Sequence, residues 1–127
     1  MNLIEKIFAL SSISPFDRLQ HSELILTADI AKTKEYNIGD TIQIKEQYVY
    51  SIFIVINGKA VTQNGTELEK IFGIQEVLDE KTFTEDIIAH TPTKLITIGK
   101  AHFFTLLYEC PDLLLGLLNL RDDRGLR

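Results

Sequence analysis

Apolar residues near the start of the chain recur with the period of about 3.6 residues that is typical of an amphipathic helix. The positions that carry this pattern are Leu3, Ile4, Ile7, Phe8 and Leu10. Ser14-Pro15 ends the segment, because proline disfavours helical geometry at the residue before it. A second helix is predicted downstream, with inward positions at Leu19, Leu24, Ala28 and Ile30. Both segments are interpreted as packing helices.

From residue 31 onward the apolar pattern changes to that of strands. Residues alternate in TIQIK, which predicts a half-buried strand with Ile42 and Ile44 on one face. SIFIVI at residues 51–56 is a continuous run of β-branched and aromatic side chains. Such a run predicts a fully buried strand.

Turn signals divide the rest of this region. Asn57-Gly58 is a tight-turn dipeptide, so residues 59–62 are expected to return antiparallel to the buried strand. Asn64-Gly65 marks a second hairpin before TELEKI. The remaining predicted elements are a short helical stretch around Val77-Leu78, strands near Glu85 to Ala89 and Leu95 to Ile98, and a turn at Thr91-Pro92.

The chain is predicted to become helical again after Gly99, with apolar positions at Phe103, Phe104, Leu106 and Leu107. Pro111 is expected at the first position of a last helix, DLLLGLLNL. Short helices on both sides of many short strands predict an α+β fold, a small antiparallel β-roll flanked by N- and C-terminal helices. The sequence contains no repeat and no linker, so residues 1–127 are predicted to form a single domain.

Leucines cover most of the circumference of the predicted last helix. They stand at Leu113, Leu114, Leu115, Leu117, Leu118 and Leu120. One side of such a helix can pack on its own domain, whereas the other needs a partner. We therefore expect a homodimer through Leu113, Leu114, Leu117 and Leu118, with deeper burial within one chain as the alternative. RDDRGLR follows this helix with mixed charge and a glycine, and we expect no helix-turn-helix in residues 1–127.

Composition narrows the classes of partner. Hydrophobic residues make up 45% of the 127 residues, which is typical of a compact globule. The net charge of −5 disfavours binding to nucleic acids or anionic lipids, since both draw affinity from Lys and Arg. No apolar run reaches about 18 residues, so no membrane insertion is expected. The single cysteine fits a reducing compartment, which predicts a cytoplasmic protein.

Candidate catalytic chemistry is sparse. His21, His90 and His102 lie far apart and lack the His-x-His spacing of a cupin-type metal enzyme, so surface histidines and no metal site are expected. Cys110 has no basic neighbour in sequence to activate it and is interpreted as a buried or half-buried structural thiol. The acidic pairs at 79–80 and 85–86 are interpreted as solvated charges of loops and strand ends. We expect no enzymatic activity.

Residues 72–89, FGIQEVLDEKTFTEDIIA, are the most informative stretch, and we refer to them as the cassette segment. With four other pieces in the same order, they resemble the cyclic nucleotide-binding domain family over residues 2–120. The other pieces are Phe16 with Leu19, the turn Ile38-Gly39-Asp40, SIFIVINGKAV, and TKLITIGKAHFFTLL. The resemblance implies the family's fold, a catabolite-activator-like β-roll that is also described as a double-stranded β-helix or jelly-roll-like. It also implies a pocket for a cyclic nucleotide.

Two charged residues of the family's phosphate cassette are replaced in this chain. The resemblance implies a Phe-Gly-Glu turn, whose glutamate holds the ribose hydroxyl, and an arginine nine residues later that neutralises the cyclic phosphate. Ile74 and Phe83 stand at these two positions. Neither side chain offers a hydrogen-bond donor or a charge to the ligand.

Other departures from the family's pattern point the same way. Glu85 replaces a small residue, and its carboxylate would repel an anion. Two loop glycines before SIFIVI are replaced by Glu46 and Val49. The stretch before Phe72-Gly73 is too short for the family's preceding glycine turn, so Phe72-Gly73 could be the remnant of that turn instead. The assignment of Ile74 depends on this choice.

The sequence therefore predicts a non-catalytic regulatory or interaction module that has lost cyclic nucleotide binding, without a cofactor. Its degenerate site positions are Gly73, Ile74, Gln75, Phe83, Thr84 and Glu85. The alternative is a genuine cAMP or cGMP sensor that uses Lys81 or backbone N–H groups near Thr84. A small cupin-like enzyme is a more distant alternative. The expected partner is another protein or a second copy of this chain.

Overall fold

The computed structural model describes the backbone of residues 1–123 and the side chains of residues 1–118. The chain divides into two compact units, which we call the helical unit and the β unit. The helical unit combines Met1–Ala31 with the chain from Ala101 onward, and the β unit comprises Lys32–Lys100. The predicted α+β fold is confirmed, with helices at both ends of the chain and strands between them. That residues 1–127 form a single domain stays a prediction.

The predicted helices and strands appear in the predicted order, with β1 and a short 3-10 helix as additional elements. In chain order they are α1 (Leu3–Ser11), a short 3-10 helix (Phe16–Arg18), α2 (His21–Ile30), β1 (Lys32–Tyr36), β2 (Thr41–Gln43), β3 (Ser51–Asn57), β4 (Ala60–Thr62), β5 (Ile71–Phe72), α3 (Ile74–Asp79), β6 (Ile87–Ala89), β7 (Thr93–Gly99), α4 (Lys100–Glu109) and α5 (Pro111–Asp123). Pro111 is the first residue of α5, as predicted.

Local capping explains where α1 begins. The Asn2 side chain accepts a hydrogen bond from Glu5 N at 2.9 Å, and Asn2 N donates to Glu5 Oε1 at 3.0 Å. This reciprocal pair satisfies two backbone donors that a helix start would otherwise leave unpaired. The sequence Asn-x-x-Glu therefore sets the N-terminus of α1.

The interpretation of α1 and α2 as packing helices is confirmed for one face of each helix. Leu10 is fully buried, but Ile4 is largely exposed and Phe8 is 71% exposed. Ile4 and Phe8 lie four residues apart and share a face, which is not the face of Leu10. In α2, Leu24 and Ala28 are buried as predicted, whereas Ile30 is only half-buried. Helical spacing alone does not tell which apolar face is covered.

Two antiparallel sheets form the β unit. The larger sheet has the strand order β1-β7-β3-β5, and the smaller has the order β2-β6-β4. β3 is the predicted buried strand, with Ile52 and Ile54 completely covered. It pairs with β7 along almost its full length, for example Ile54 with Ile96. These sheets confirm the predicted small antiparallel β-roll.

The predicted pairing of residues 59–62 with the buried strand is wrong. The chain does turn at Asn57-Gly58, but β4 pairs with β6 in the smaller sheet. Both edges of β3 are already occupied, by β7 and β5. Gly58 has φ +92°, and a Cβ there would lie 2.7 Å from Thr93 Oγ1. Only glycine allows this turn to pass so close to the start of β7.

The predicted alternation of Ile42 and Ile44 is also wrong at its second position. β2 ends at Gln43, and its register against β6 shifts between Thr41 and Gln43. Such a bulge interrupts the two-residue alternation of a strand. Ile42 is therefore buried, whereas Ile44 lies beyond the strand and is exposed.

The described helices include no single one that is long and apolar enough to cross a membrane. Lys100–Glu109 and Pro111–Leu118 pass that test only as a joined pair, and they are bent by 110° at their junction.

Candidate functional site in the cassette segment

Gly73 begins the cassette turn at the end of β5. It has φ +88° and precedes the first residue of α3, and Val77 N donates to Gly73 O at 2.9 Å. A Cβ at this position would lie 3.2 Å from Phe53 Cδ2 and 3.3 Å from Ser51 O. Backbone geometry and tight packing therefore both require glycine at the start of the cassette helix.

Phe83 contacts the aromatic core of the β unit. The rings of Phe53 and Phe72 stack with centroids 4.8 Å apart, and Phe83 meets Phe72 edge-on at 6.3 Å. Phe72 is fully buried and Phe83 is half-buried. Edge-to-face and offset geometries are favourable for aromatic rings. The position that the resemblance assigns to an arginine therefore belongs to a packed aromatic cluster.

Ile74, at the position assigned to the ribose-binding glutamate, is 1% exposed. It is the first residue of α3, directly after the left-handed Gly73. Gln75, the next residue, is half-buried. An aliphatic side chain so completely covered is part of the core.

Glu85 and Asp86 lie just before β6, at a strand end as predicted, and both carboxylates also bind backbone groups. Glu85 Oε1 accepts a hydrogen bond from Asn64 N at 2.9 Å, and Asp86 Oδ1 accepts one from Lys45 N at 2.8 Å. Both residues are half-buried. Each carboxylate thus holds the backbone of a different loop, because hydrogen bonds from backbone N–H groups to a charged acceptor are strong.

A third hydrogen bond joins the cassette segment to the loop before β3. Glu46 N donates to Phe83 O at 2.8 Å. Glu46 has φ +60°, a left-handed conformation that is unusual for a residue with a side chain. This geometry agrees with the prediction that Glu46 stands where the family has a glycine. Val49, at the second predicted glycine position, is buried.

Lys81 and Thr84, the donors of the alternative hypothesis, are both exposed. The backbone N–H of Lys81 donates to Glu76 O at 3.0 Å and closes the end of α3. Glu80, just before it, has φ +54°. The cassette segment therefore exposes Lys81 and Thr84 to solvent, whereas Phe72 and Ile74 are buried.

A cation that sequence reasoning missed lies on the same unit. Lys100 Nζ donates to Tyr48 Oη at 2.7 Å and lies 3.5 Å from Glu80 Oε1. The hydrogen bond to Tyr48 is the main cause that raises the pKa of the Lys100 ammonium group. Tyr48 and Lys100 are 52 residues apart, so no local motif could have indicated their contact.

The four leucines predicted as a dimer surface differ in their exposure to solvent. Leu113 and Leu117 are buried in their own chain, so their assignment to an exposed dimer face is wrong. Leu114 is half-buried, Leu118 is exposed, and Leu115 is 60% exposed. A Cβ on Gly116 would overlap Pro15 Cβ, so this close approach marks the packed face of α5. Leu120 lies outside the described side chains.

His21, His90 and His102 are exposed. The described residues contain no group of three or more His, Cys, Asp or Glu side chains placed to hold a metal ion. Cys110 is buried, as predicted, and burial together with the Glu23 carboxylate raises the pKa of its thiol to about 11. A thiol with that pKa is a poor nucleophile at neutral pH.

No family model and no curated protein matches this sequence. Solved structures match it by fold. The regulatory domain of Toxoplasma gondii PKA, crystallised with cAMP, has a TM-score of 0.80 and 21% identity over 97% of this chain and 50% of that chain. The sensor domain of the transcriptional regulator DNR from Pseudomonas aeruginosa has a TM-score of 0.77 and 18% identity over 96% of this chain and 89% of that chain.

A third structure is a mutant regulatory subunit of a cAMP-independent protein kinase A from Trypanosoma brucei, bound to cAMP in its A site. It has a TM-score of 0.75 and 20% identity over 93% of this chain and 48% of that chain. The chain spans about half the length of the Toxoplasma and Trypanosoma regulatory chains. The present chain therefore has the fold of cyclic nucleotide-binding domains, as the resemblance implied.

Proposed function

We propose that this chain is a non-catalytic regulatory or interaction module that has the cyclic nucleotide-binding fold and has lost cyclic nucleotide binding. The observation that carries this proposal is the position of Phe83, whose ring packs 6.3 Å from that of the fully buried Phe72. The solved structures with this fold are described as regulatory and sensor domains, which supports a non-catalytic role.

The charges and hydrogen bonds of the cassette segment support the proposal that binding of an anionic ligand has been lost. A cyclic phosphate that leaves water needs charged or well-aligned donors, and Phe83 supplies neither. The carboxylate of Glu85 is anchored to Asn64 N, so it cannot swing away from an approaching anion without breaking that hydrogen bond. Removing the partner of a buried charge costs several kcal/mol, or roughly a thousandfold in affinity.

The Trypanosoma brucei structure supports the proposal in a second way. Its parent protein is described as cAMP-independent, and the cAMP-bound form is a mutant. A protein with this fold can therefore be described as independent of the nucleotide, and substitutions are compatible with a cAMP-bound form. We infer that the present chain, like the cAMP-independent kinase, functions without cAMP.

Calorimetric titration with cAMP and with cGMP tests the proposal. We expect no heat of binding for either nucleotide at micromolar concentrations. Micromolar or tighter binding of either one would overturn the proposal.

A double variant tests the site assignment. Because Ile74 is buried, the design avoids that position and combines Phe83→Arg with Glu85→Ala. We expect this variant to gain affinity for cAMP or cGMP, since it adds a donor and removes a repelling charge. Phe83→Leu with Glu85→Ala is the matched control and should gain none. Circular dichroism must show that both variants are folded.

The alternative function is a cAMP or cGMP sensor with an atypical cassette. It is favoured by the exposure of Lys81 and Thr84 on the cassette segment and by the cAMP-bound structures with this fold. If the unmodified chain binds a nucleotide, Lys81→Ala should weaken that binding, whereas the exposed Lys34→Ala in β1 should not.

We further propose that the partner is another protein or a second copy of the chain. The exposed face of α5, with Leu115 and Leu118 beside the half-buried Leu114, is the proposed self-association surface. The acidic net charge of −5 disfavours a nucleic-acid partner. The single cysteine and this composition fit the cytoplasm.

A further inference from the structure

A groove of about 370 Å³ runs beside β2 and the loop that follows it. Its lining residues are Thr41, Ile42, Gln43, Ile44, Gln47, Tyr48 and Tyr50. Three of them are large and exposed, and Tyr50 is 71% exposed. Among the described residues of the β unit, the only other exposed large hydrophobic side chain is Ile38. Exposed apolar groups concentrated in one concave surface indicate an interaction site.

The two tyrosines of the groove are held in a defined arrangement. Their ring centroids lie 4.5 Å apart at an interplanar angle of 55°. Lys100 Nζ fixes Tyr48 through the 2.7 Å hydrogen bond to its hydroxyl and lies 5.3 Å from its ring centroid. Tyrosines presented in this way lose little conformational entropy when they bind, and tyrosine is enriched at the centre of protein interfaces.

The groove follows the edge of a sheet. In the described part of the chain, β2 is an outer strand of the smaller sheet and pairs only with β6. The outer side of such a strand offers backbone N–H and C=O groups to an added extended segment. β2 has three residues and a register shift, so it can pair with only a short segment.

Charge determines the chemistry of that segment. The lining of the groove contains no charged side chain, although charged residues make up 24% of the chain. The ammonium group of Lys100 beside Tyr48 is already paired with Glu80 at 3.5 Å, so a charged group in the groove would lose hydration without a new ion pair to that lysine. Charge complementarity therefore selects an uncharged segment, and the exposed rings and Ile44 select apolar side chains.

We propose that this groove binds a short, extended, uncharged segment of a partner protein, which pairs with the edge of β2 and packs its apolar side chains on Ile44, Tyr48 and Tyr50. The inference rests on the proposal that the chain is an interaction module, and it specifies the kind of partner. It uses none of the cassette residues Ile74, Phe83 or Glu85.

The test uses an acetylated and amidated peptide that alternates valine and threonine, titrated into the full chain while amide chemical shifts are recorded by NMR. We expect saturable shifts confined to residues 41–50 and their partners in β6, with a dissociation constant between about 10 μM and 1 mM. The same peptide with N-methylated backbone amides should bind at least about tenfold more weakly, because it cannot pair with the strand edge.

Two substitutions of exposed residues give a matched comparison. Tyr50→Ser should weaken peptide binding by about tenfold or more, as expected for a central aromatic contact. Ile38→Ser, in the same unit but outside the groove lining, should leave the affinity unchanged.

Four outcomes would overturn the proposal. They are no shifts at about 1 mM peptide, shifts centred elsewhere, equal binding by the Tyr50→Ser variant, and shifts in this groove that depend on protein concentration without peptide. The last outcome would identify a second copy of the chain as the occupant. Nucleotide titration of the same sample tests the proposed function separately, because neither Tyr50→Ser nor Ile38→Ser changes a residue of the cassette segment.

Discussion

Glu46 illustrates at the residue scale how a replaced glycine affects stability. Its left-handed conformation, with φ +60°, costs an L-amino acid roughly 1–2 kcal/mol. Glycine adopts that conformation freely but loses more entropy on folding, by about 0.4–1 kcal/mol. We therefore expect Glu46→Gly to stabilise the chain by up to about 1 kcal/mol, measured by urea denaturation.

Glu46→Ala is the control for that measurement. Alanine removes the same side chain but retains the unfavourable φ angle, so it should not stabilise the chain. A gain of equal size in both variants would show that the carboxylate, and not the backbone geometry, is the cause.

Cys110 makes stability depend on pH in the alkaline range. Burial, and next the Glu23 carboxylate, raise the pKa of its thiol from 9.0 to about 11 in the folded chain. The unfolded thiol ionises at the lower pH, so this group's contribution is fully present below pH 9 and is lost as the pH rises towards 11. We expect the free energy of unfolding to fall across this window.

Comparison with Cys110→Ala isolates the thiol from the lysines and tyrosines that titrate in the same range. The variant should show a shallower decline between pH 9 and 11. The native thiol should also react slowly with iodoacetamide at pH 8 and rapidly once the chain is denatured. Fast reaction of the native chain would contradict the buried position of Cys110.

Among the contacts between helices, the Lys6 side chain joins α1 to the end of α2. Its Nζ donates to Ala31 O at 2.7 Å and to Ala28 O at 3.3 Å, at the C-terminal end of α2. The last turn of α2 contains no basic residue of its own. A cation there donates to the last carbonyl groups of the helix and interacts favourably with the helix dipole.

We expect Lys6→Met to destabilise the chain by about 1–2 kcal/mol in thermal or urea denaturation, because methionine retains the apolar stem and loses both hydrogen bonds. Lys34→Met, at an exposed position of β1, is the matched control and should change the stability by less than about 0.5 kcal/mol. Equal effects of the two variants would contradict the role of Lys6.

Gly116 sets how closely α5 approaches the segment before the 3-10 helix. A Cβ at this position would overlap Pro15 Cβ and lie 3.0 Å from Pro15 Cγ. Alanine normally favours a helix over glycine by about 1 kcal/mol. We expect Gly116→Ala to destabilise the chain instead, by about 1–3 kcal/mol, because the added methyl group must displace the proline or the helix.

Leu115→Ala on the exposed side of the same helix is the comparison. Because Leu115 is exposed, its truncation should cost less than about 0.5 kcal/mol of folding stability. A stabilising effect of Gly116→Ala would show that α5 does not pack on Pro15.

For the whole molecule, we expect self-association through the exposed face of α5. Light scattering should give a mass of twice the 14.5 kDa monomer if the exposed face of α5 pairs with a second copy. Leu115→Glu should then shift the population to monomer, because burying an unpaired carboxylate in the interface is costly. Ile25→Glu, at an exposed apolar position of α2, is the matched control and should leave the mass unchanged. A monomer at about 1 mM chain would remove the dimer proposal.

The order of elements could be predicted because each is encoded locally. The period of the first helix, the β-branched run of β3 and the prolines at 92 and 111 each act over a few residues. The loss of the cassette arginine at Phe83 could also be predicted, since the resemblance depends on ungapped spacing. These features need only the neighbouring sequence and the intrinsic preferences of residue types.

Such local patterns could not predict which strands pair or which distant segments form hydrogen bonds. β4 joins the smaller sheet because β7 and β5 occupy both edges of β3, which no turn dipeptide reveals. The carboxylates of Glu85 and Asp86 bind backbone groups 21 and 41 residues away. Which of two apolar faces of a helix becomes buried likewise depends on which face packs against a neighbouring element.

By itself, the sequence determined the kinds and order of the elements, the glycine turns and the absence of a donor at position 83. Only the tertiary structure decided what replaces that donor. The Phe83 ring packs against Phe72, and the carboxylates beside it hold the loops at Lys45 and Asn64. The physical reason is that propensity and period act between near neighbours, whereas burial and hydrogen-bond satisfaction are settled between segments that meet only after folding.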